Sequence, residues 1–189
     1  GGGKVQIMNS VLDGWDQGLY FLGQPGDAHR ISIESSLISN SRLNGVYFDP
    51  NGGDSTLRVS QTSSIINESN GVHILDGLSI IELSNLSSNS KDGIQINSIK
   101  LLTLEKNLIQ YNEDDGVEGI GAFDVKDGVK ICNNGDDDVV ADSGATFSGI
   151  DPICSTTDPD PLPSPDPLEC RTNCTASDEV ALASCVSTI

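Results

Sequence analysis

The chain has 189 residues, is 36% hydrophobic with few aromatics, and carries a formal net charge of −18 at pH 7. That is one domain, or one domain and a tail, and it is too acidic to suit DNA, RNA or an anionic lipid surface. Gly, Ser, Asn and Asp are plentiful and no apolar run approaches a bilayer span, which together favour short strands with tight turns over packed or membrane-inserted helices.

The opening GGGKVQIMNS has neither an initiator Met nor the basic-then-apolar pattern of a signal peptide. We read the chain as a processed or partial product, so this absence leaves secretion open.

Five segments then follow in order, and they align on a glycine. They are NSVLDGWDQGLYFL, SLISNSRLNGVYFD, SSIINESNGVHIL, SNLSSNSKDGIQIN and NLIQYNEDDGVEGI, centred on Gly18, Gly45, Gly71, Gly93 and Gly116. A short apolar piece and a polar turn precede each glycine, and an alternating strand follows it. Taken alone, Asn70-Gly71 is a hairpin signal. Five such motifs at separations of 27, 26, 22 and 23 residues are better explained as turns of one coil, because a single coil cannot bury its apolar face until neighbours stack on it. Asn40, Asn67, Asn89 and Asn112, four or five positions ahead of the last four glycines, are expected to stack as a ladder of amides at a tight bend. The glycines are expected to take a backbone conformation closed to other residues.

This pattern, over roughly residues 5–131, resembles the right-handed parallel β-helix of the pectin lyase-like superfamily. The resemblance implies an all-β solenoid of about five to six coils. Alternation sorts its strands into faces. Leu19, Val46, Val72, Ile94 and Val117, with Phe21, Phe48, Ile74, Ile96 and Gly119, should point inward. Tyr20, Tyr47, His73, Gln95 and Glu118 should form an outward ladder about 20 Å long at a coil spacing near 4.8 Å, a length suited to several sugar rings.

Lyases and epimerases of this superfamily bind uronate polymers along such a face, and Tyr with His is an acid/base pairing in some of them. The resemblance therefore offers Tyr47 and His73, on adjacent coils, as an acid/base pair for removing a sugar proton. YFDPNGGD, from Tyr47 to Asp54, resembles part of the Tyr-Gly-x-Asp-Pro-His-Asp motif of alginate epimerases. Asn51 stands where that family has its His and Phe48 where it has Gly, so a catalytic group is missing. NEDDG supplies Asp114 and Asp115, but the Gly-His-Gly of polygalacturonases is absent; we read these two as a solvated bend and His29 as a loop residue. Arg30, Arg42 and Arg58 are the early cations, and the ladder contains none. Regular Thr-x-Thr rows, which ice binding needs, are also absent.

The five cysteines, Cys132, Cys154, Cys170, Cys174 and Cys185, all fall near the C-terminus without paired CxxC spacing. That suggests disulfides in an oxidising compartment and no zinc site. Cys132 and Cys154 lie about one coil apart, so a bond between them is expected to staple the last coil, for roughly 3 kcal/mol by the chain-entropy argument. TTDPDPLPSPDPLEC reads as an extended linker, and a short helix is expected near residues 177–184. Asn173 and Asn85 are the preferred N-glycosylation acceptors, since Asn67 belongs to the inward ladder. Aspartates 136–138, 142 and 151 lack the spacing of known calcium loops, so no metal is assigned and calcium is only a weak option.

The organisation expected is thus a β-helix over 1–154, a Pro/Asp-rich linker over 155–169 and a cysteine-containing segment over 170–189. The expected role is a secreted structural or cell-surface protein that is glycosylated and associates with itself or with other extracellular structural proteins, without nucleic acid or membrane insertion. The catalytic alternative through Tyr47 and His73 is kept beside it.

Overall fold

A computed structural model describes residues 2–141 and 146–149, all within one compact unit, Gly1–Cys154. The expected linker, the C-terminal helix and Cys154, Cys170, Cys174, Cys185 and Asn173 lie outside the described residues. These residues form sixteen strands and no helix, and the chain winds as a parallel β-solenoid of about six turns.

Three faces make up a coil. The first coil is β1 (Lys4–Met8), β2 (Val11–Asp13) and β3 (Leu19–Leu22). The second is β4 (Arg30–Glu34), β5 (Leu37–Ser39) and β6 (Val46–Asp49), and the third β7 (Thr56–Ser60), β8 (Ser63–Ile65) and β9 (Val72–Ile74). The fourth has β10 (Leu78–Glu82), a single bridge at Asn85, and the start of β11 (Ile94–Glu105). From there the corner between third and first faces tightens. β11 continues into the fifth coil, followed by β12 (Leu108–Gln110) and β13 (Val117–Val125), which itself runs on into the sixth with β14 (Lys130–Cys132) and β15 (Val139–Ala141). β16 (Thr146–Gly149) pairs with the end of β13.

Every strand pairs in parallel with its counterpart one coil away, so side chains of like position stack. On the third face the register is Leu19, Val46, Val72, Ile94, Val117, Val139, as the glycine alignment requires. On the first face Ile7, Ile33, Val59, Ile81, Leu104 and Val125 run in register. Ile33, Val59, Phe48, Ile74, Ile81, Ile94 and Ile96 are wholly buried; each such side chain contributes roughly 1.5–3 kcal/mol when removed from water.

The corners are held by polar ladders. At the bend before the third face, Asn67 Nδ2 donates to Asn89 Oδ1 (2.9 Å), Asn89 Nδ2 to Asn112 Oδ1 (3.0 Å), and Asn112 Nδ2 to Asn134 Oδ1 (2.9 Å). The same oxygens accept backbone N–H groups: Asn67 N to Asn89 Oδ1 and Asn89 N to Asn112 Oδ1, both at 3.1 Å. Asn40 is not a member. The ladder position in its coil is Ser41, whose backbone N–H donates to Asn67 Oδ1 (3.1 Å). Asn40 sits one residue earlier, where the chain bends with φ 53°.

That bend explains the glycines differently from the sequence expectation. Gly18, Gly45, Gly71, Gly93 and Gly116 do not have positive φ. The left-handed conformation falls instead on Asn40, Ile66, Ser88, Tyr111 and Asn133, each just before its ladder residue, and on Asn9, Ser35, Gln61, Leu83 and Lys106 at the preceding corner. The glycines are required by space. A Cβ on Gly71 would meet Gly93 O at 2.7 Å and Asn89 Nδ2 at 2.8 Å, and one on Gly93 would meet Gly116 O at 2.7 Å. Each glycine thus lets the ladder of the next coil approach closely.

Candidate functional site: the outward ladder of the third face

The strands β3, β6, β9 and the leading parts of β11 and β13 present the outward ladder, and its register is the one expected: Tyr20, Tyr47, His73, Gln95, Glu118. The pleat fixes this arrangement, because the residues on either side of each member point inward, buried in the core from Tyr47 onward and partly buried beside Tyr20.

Its two halves differ in chemistry. In the first coils Tyr20 and Tyr47 stack, with ring centroids 5.1 Å apart and planes at 13°. The His73 ring meets Tyr47 edge-on at 5.3 Å and 85°. In the later coils the groups are polar and bonded together. Asn70 Nδ2 donates to Gln95 Oε1 (3.0 Å), and Gln95 Nε2 donates to Glu118 Oε2 (3.0 Å).

His73 Nε2 lies 3.2 Å from Asn97 Nδ2. With the amide as donor, Nε2 accepts and the neutral ring carries its proton on Nδ1. Burial, and secondarily the charge of Lys91, lower the His73 pKa and favour this neutral form. Burial raises the Tyr47 pKa, with Asp49 and then Tyr20 adding to it, so its phenol keeps its proton at neutral pH. A neutral imidazole can accept a proton and a phenol can donate one, but the imidazole's Nε2 lone pair is engaged by Asn97.

The early arginines do not serve this face. Arg58, on β7, lies between Glu34 (4.0 Å) and Glu82, to whose Oε1 its Nη2 donates. Arg42 pairs with Asp16 at 3.0 Å at an exposed corner, and Arg30 begins β4 on the first face. His29 lies in the loop after the first coil, its Nδ1 accepting from Gly3 N (3.2 Å) and its ring edge-on to Phe21 at 5.2 Å.

Asp115 is a correction. The bend expected to be solvated leaves it 6% exposed, while Asp114 is exposed. Asp115 belongs to a second corner ladder, made by the residues just before Gly45, Gly71, Gly93 and Gly116 and continued by Asp137. Asn70 N donates to Asn44 Oδ1 (3.2 Å), Asp92 N to Asn70 Oδ1 (3.1 Å), Asp115 N to Asp92 Oδ1 (3.2 Å) and Asp137 N to Asp115 Oδ1 (2.8 Å). The signal was visible as LNG, SNG, KDG and DDG in the repeat, where Asn and Asp pass for ordinary turn formers. A third ladder, at the corner before the second face, uses Ser36, Thr62, Ser84 and Asn107, with Ser84 N donating to Asn107 Oδ1 (3.1 Å).

Among the other expected residues, Asn67 is buried in its ladder, whereas Asn85 is half-buried on the second face, its Oδ1 accepting from Ser87 Oγ at 2.5 Å. Cys132 is buried at the end of β14. Asp138 Oδ1 accepts from Asn134 Nδ2 (3.0 Å), so it closes the asparagine ladder. Asp142 and Asp151 lie outside the described residues. Compared with known proteins, the chain matches no family model, no curated protein and no solved structure.

Proposed function

We propose that the protein is a structural β-solenoid of the right-handed, pectin lyase-like kind, acting outside the cell and associating with copies of itself or with other extracellular structural proteins. One observation carries this reading: the polar groups of the outward ladder from His73 to Glu118 are bonded to one another or to neighbouring coils. Gln95 is bonded on both sides, and His73 is bonded to Asn97. A ladder so arranged strengthens the stack and leaves few groups free to converge on a reacting atom.

The exposed apolar side chains of the first coil, Val5, Met8, Val11, Trp15 and Leu22, support the self-association. Exposed apolar side chains grouped in this way mark surfaces where one chain adds to another. A bond between Cys132 and Cys154 and glycans at Asn173 and Asn85 complete the proposal, as fits an oxidising, secreted setting.

Light scattering with electron microscopy tests it. Polymers of constant width that shorten or disappear in a Val5→Lys, Val11→Lys variant are expected; a monomer at all concentrations overturns the reading. The edge contact of Tyr47 with His73 favours one competitor, a uronate lyase or epimerase. Rising ultraviolet absorbance on incubation with uronate polymers, lost in His73→Ala, would establish it.

A further inference from the structure

The ladder just before the glycines changes its chemistry along the solenoid. Its first two rungs, Asn44 and Asn70, are neutral amides, and the next three, Asp92, Asp115 and Asp137, are acids. All make the same bond, an Oδ1 accepting the backbone N–H of the next rung up to Asp137, at 2.8–3.2 Å. The acids therefore add charge and no new bond. Asp92 is 1% exposed and Asp115 6%, and one carboxylate oxygen of each lies within 4.8 Å of one of the half-buried Glu118 and of the other. Three carboxylates this close, two of them buried, do not all ionise together without strong repulsion.

We propose that this rail is a proton-sensitive clasp: the C-terminal coils are held most tightly with a proton shared among Asp92, Asp115 and Glu118, and they loosen as it leaves. The surroundings of Asp92 support it. On the preceding coil stand neutral Asn70 and His73, and Lys91 is adjacent in sequence. The following corner and β13 bring Asp114, Asp115 and Glu118, and the corner after that brings Asp136, Asp137 and Asp138. Burial, and then the charges of Glu118, Asp114 and Asp115, outweigh the bond from Asp115 N–H and push Asp92 up to about 7. Asp115 is raised too, first by burial.

The direction follows from linkage. A carboxyl whose folded pKa is raised above the unfolded value of 3.8 binds more protons in the folded state. Its contribution is fully present below about 3.8, declines as pH rises, and is gone above about 7. Mild acid therefore tightens the rail and alkaline solution slackens it.

Asp92→Asn isolates the effect, because an amide at this rung keeps the Oδ1 acceptor, as Asn44 and Asn70 do, and cannot titrate. Thermal and urea unfolding of the full chain and of Asp92→Asn are compared at pH 5 and pH 8, since general charge repulsion in so acidic a chain acts on both proteins. The unfolding constant of the native chain should rise between these pH values by on the order of tenfold to a hundredfold more than that of Asp92→Asn. A carboxyl-carbon NMR titration should place the midpoint of Asp92 near 7. Equal pH slopes in the two proteins, or an Asp92 midpoint below about 5, in the ordinary carboxylate range, overturns the proposal.

Discussion

Replacing Asn89 by Ala removes the centre of the asparagine ladder, and the damage can be worked out bond by bond. Asn89 is wholly buried. Its Oδ1 accepts from Asn67 N and Asn67 Nδ2, and its Nδ2 donates to Asn112 Oδ1 and to Ser64 O (3.3 Å). In Asn89→Ala the Asn67 backbone N–H loses its acceptor in a dry interior. Asn67 Nδ2 keeps only the weaker contact with Ser64 Oγ at 3.3 Å. Asn112 Oδ1 still receives Asn89 N. Each buried polar group left without a partner costs about 1–3 kcal/mol. With roughly two such groups and a small void, the loss should be about 3–5 kcal/mol, or a fall in Tm of about 10 °C for a chain of this size. Urea and thermal unfolding measure it, with Ser90→Ala as the exposed neighbour that should change stability by less than about 0.5 kcal/mol. Because coils stabilise their neighbours, amide exchange should quicken in the third to fifth coils first. A loss below about 1 kcal/mol, or one equal to that of Ser90→Ala, refutes the view that amide stacking holds the corner.

Two further substitutions test other parts of the architecture. Gly71→Ala should cost about 3 kcal/mol by pressing a methyl against Gly93 O and Asn89 Nδ2, whereas Gly14→Ala, at φ 73° with open space around it, should cost only the conformational penalty of about 1–2 kcal/mol; similar losses in urea unfolding would reject the steric account. Ser79→Ala should stabilise the fold by about 1 kcal/mol, since Ser79 Oγ is buried without a partner between Leu57 and Leu102 on the first face; a fall in Tm would mean that the hydroxyl is bonded after all.

The third face was legible in the sequence because two independent signals coincide there. The glycine marks the same step in each coil, and strict alternation after it assigns Val72 and Ile74 to the core and His73 to the surface. The asparagine ladder was legible wherever Asn67, Asn89 and Asn112 kept a constant distance from the glycine. It misled at Asn40, which stands five residues ahead of its glycine, while the constant spacing of four places Ser41 on the rung. The ladder of Ser36, Thr62 and Ser84 was not legible, because Ser and Thr are too common in such a chain to stand out. Nor could the left-handed bends be read from Ile66, Leu83 or Tyr111, since these residues have no intrinsic preference for that conformation. Stacked hydrogen bonds on either side impose it. The candidate site was legible as a row of residues, but not in its chemistry: register follows from pattern, while the bonding of His73 to Asn97 and the burial of Asp115 depend on packing from other coils.

The uneven length of the coils bears on how such a chain can change. Equivalent positions are 26 residues apart in the early coils and 22 or 23 in the later ones, yet the columns remain aligned. The difference is absorbed at the corner from third to first face, by segments such as 50–55 that are missing where β11 and β13 run straight through. Length at that corner is therefore free to vary, while from the second coil on the two ladder corners keep a constant count of residues. Insertions and deletions should be tolerated best along that edge of the solenoid, which makes it the natural place to graft a binding loop without disturbing the stack.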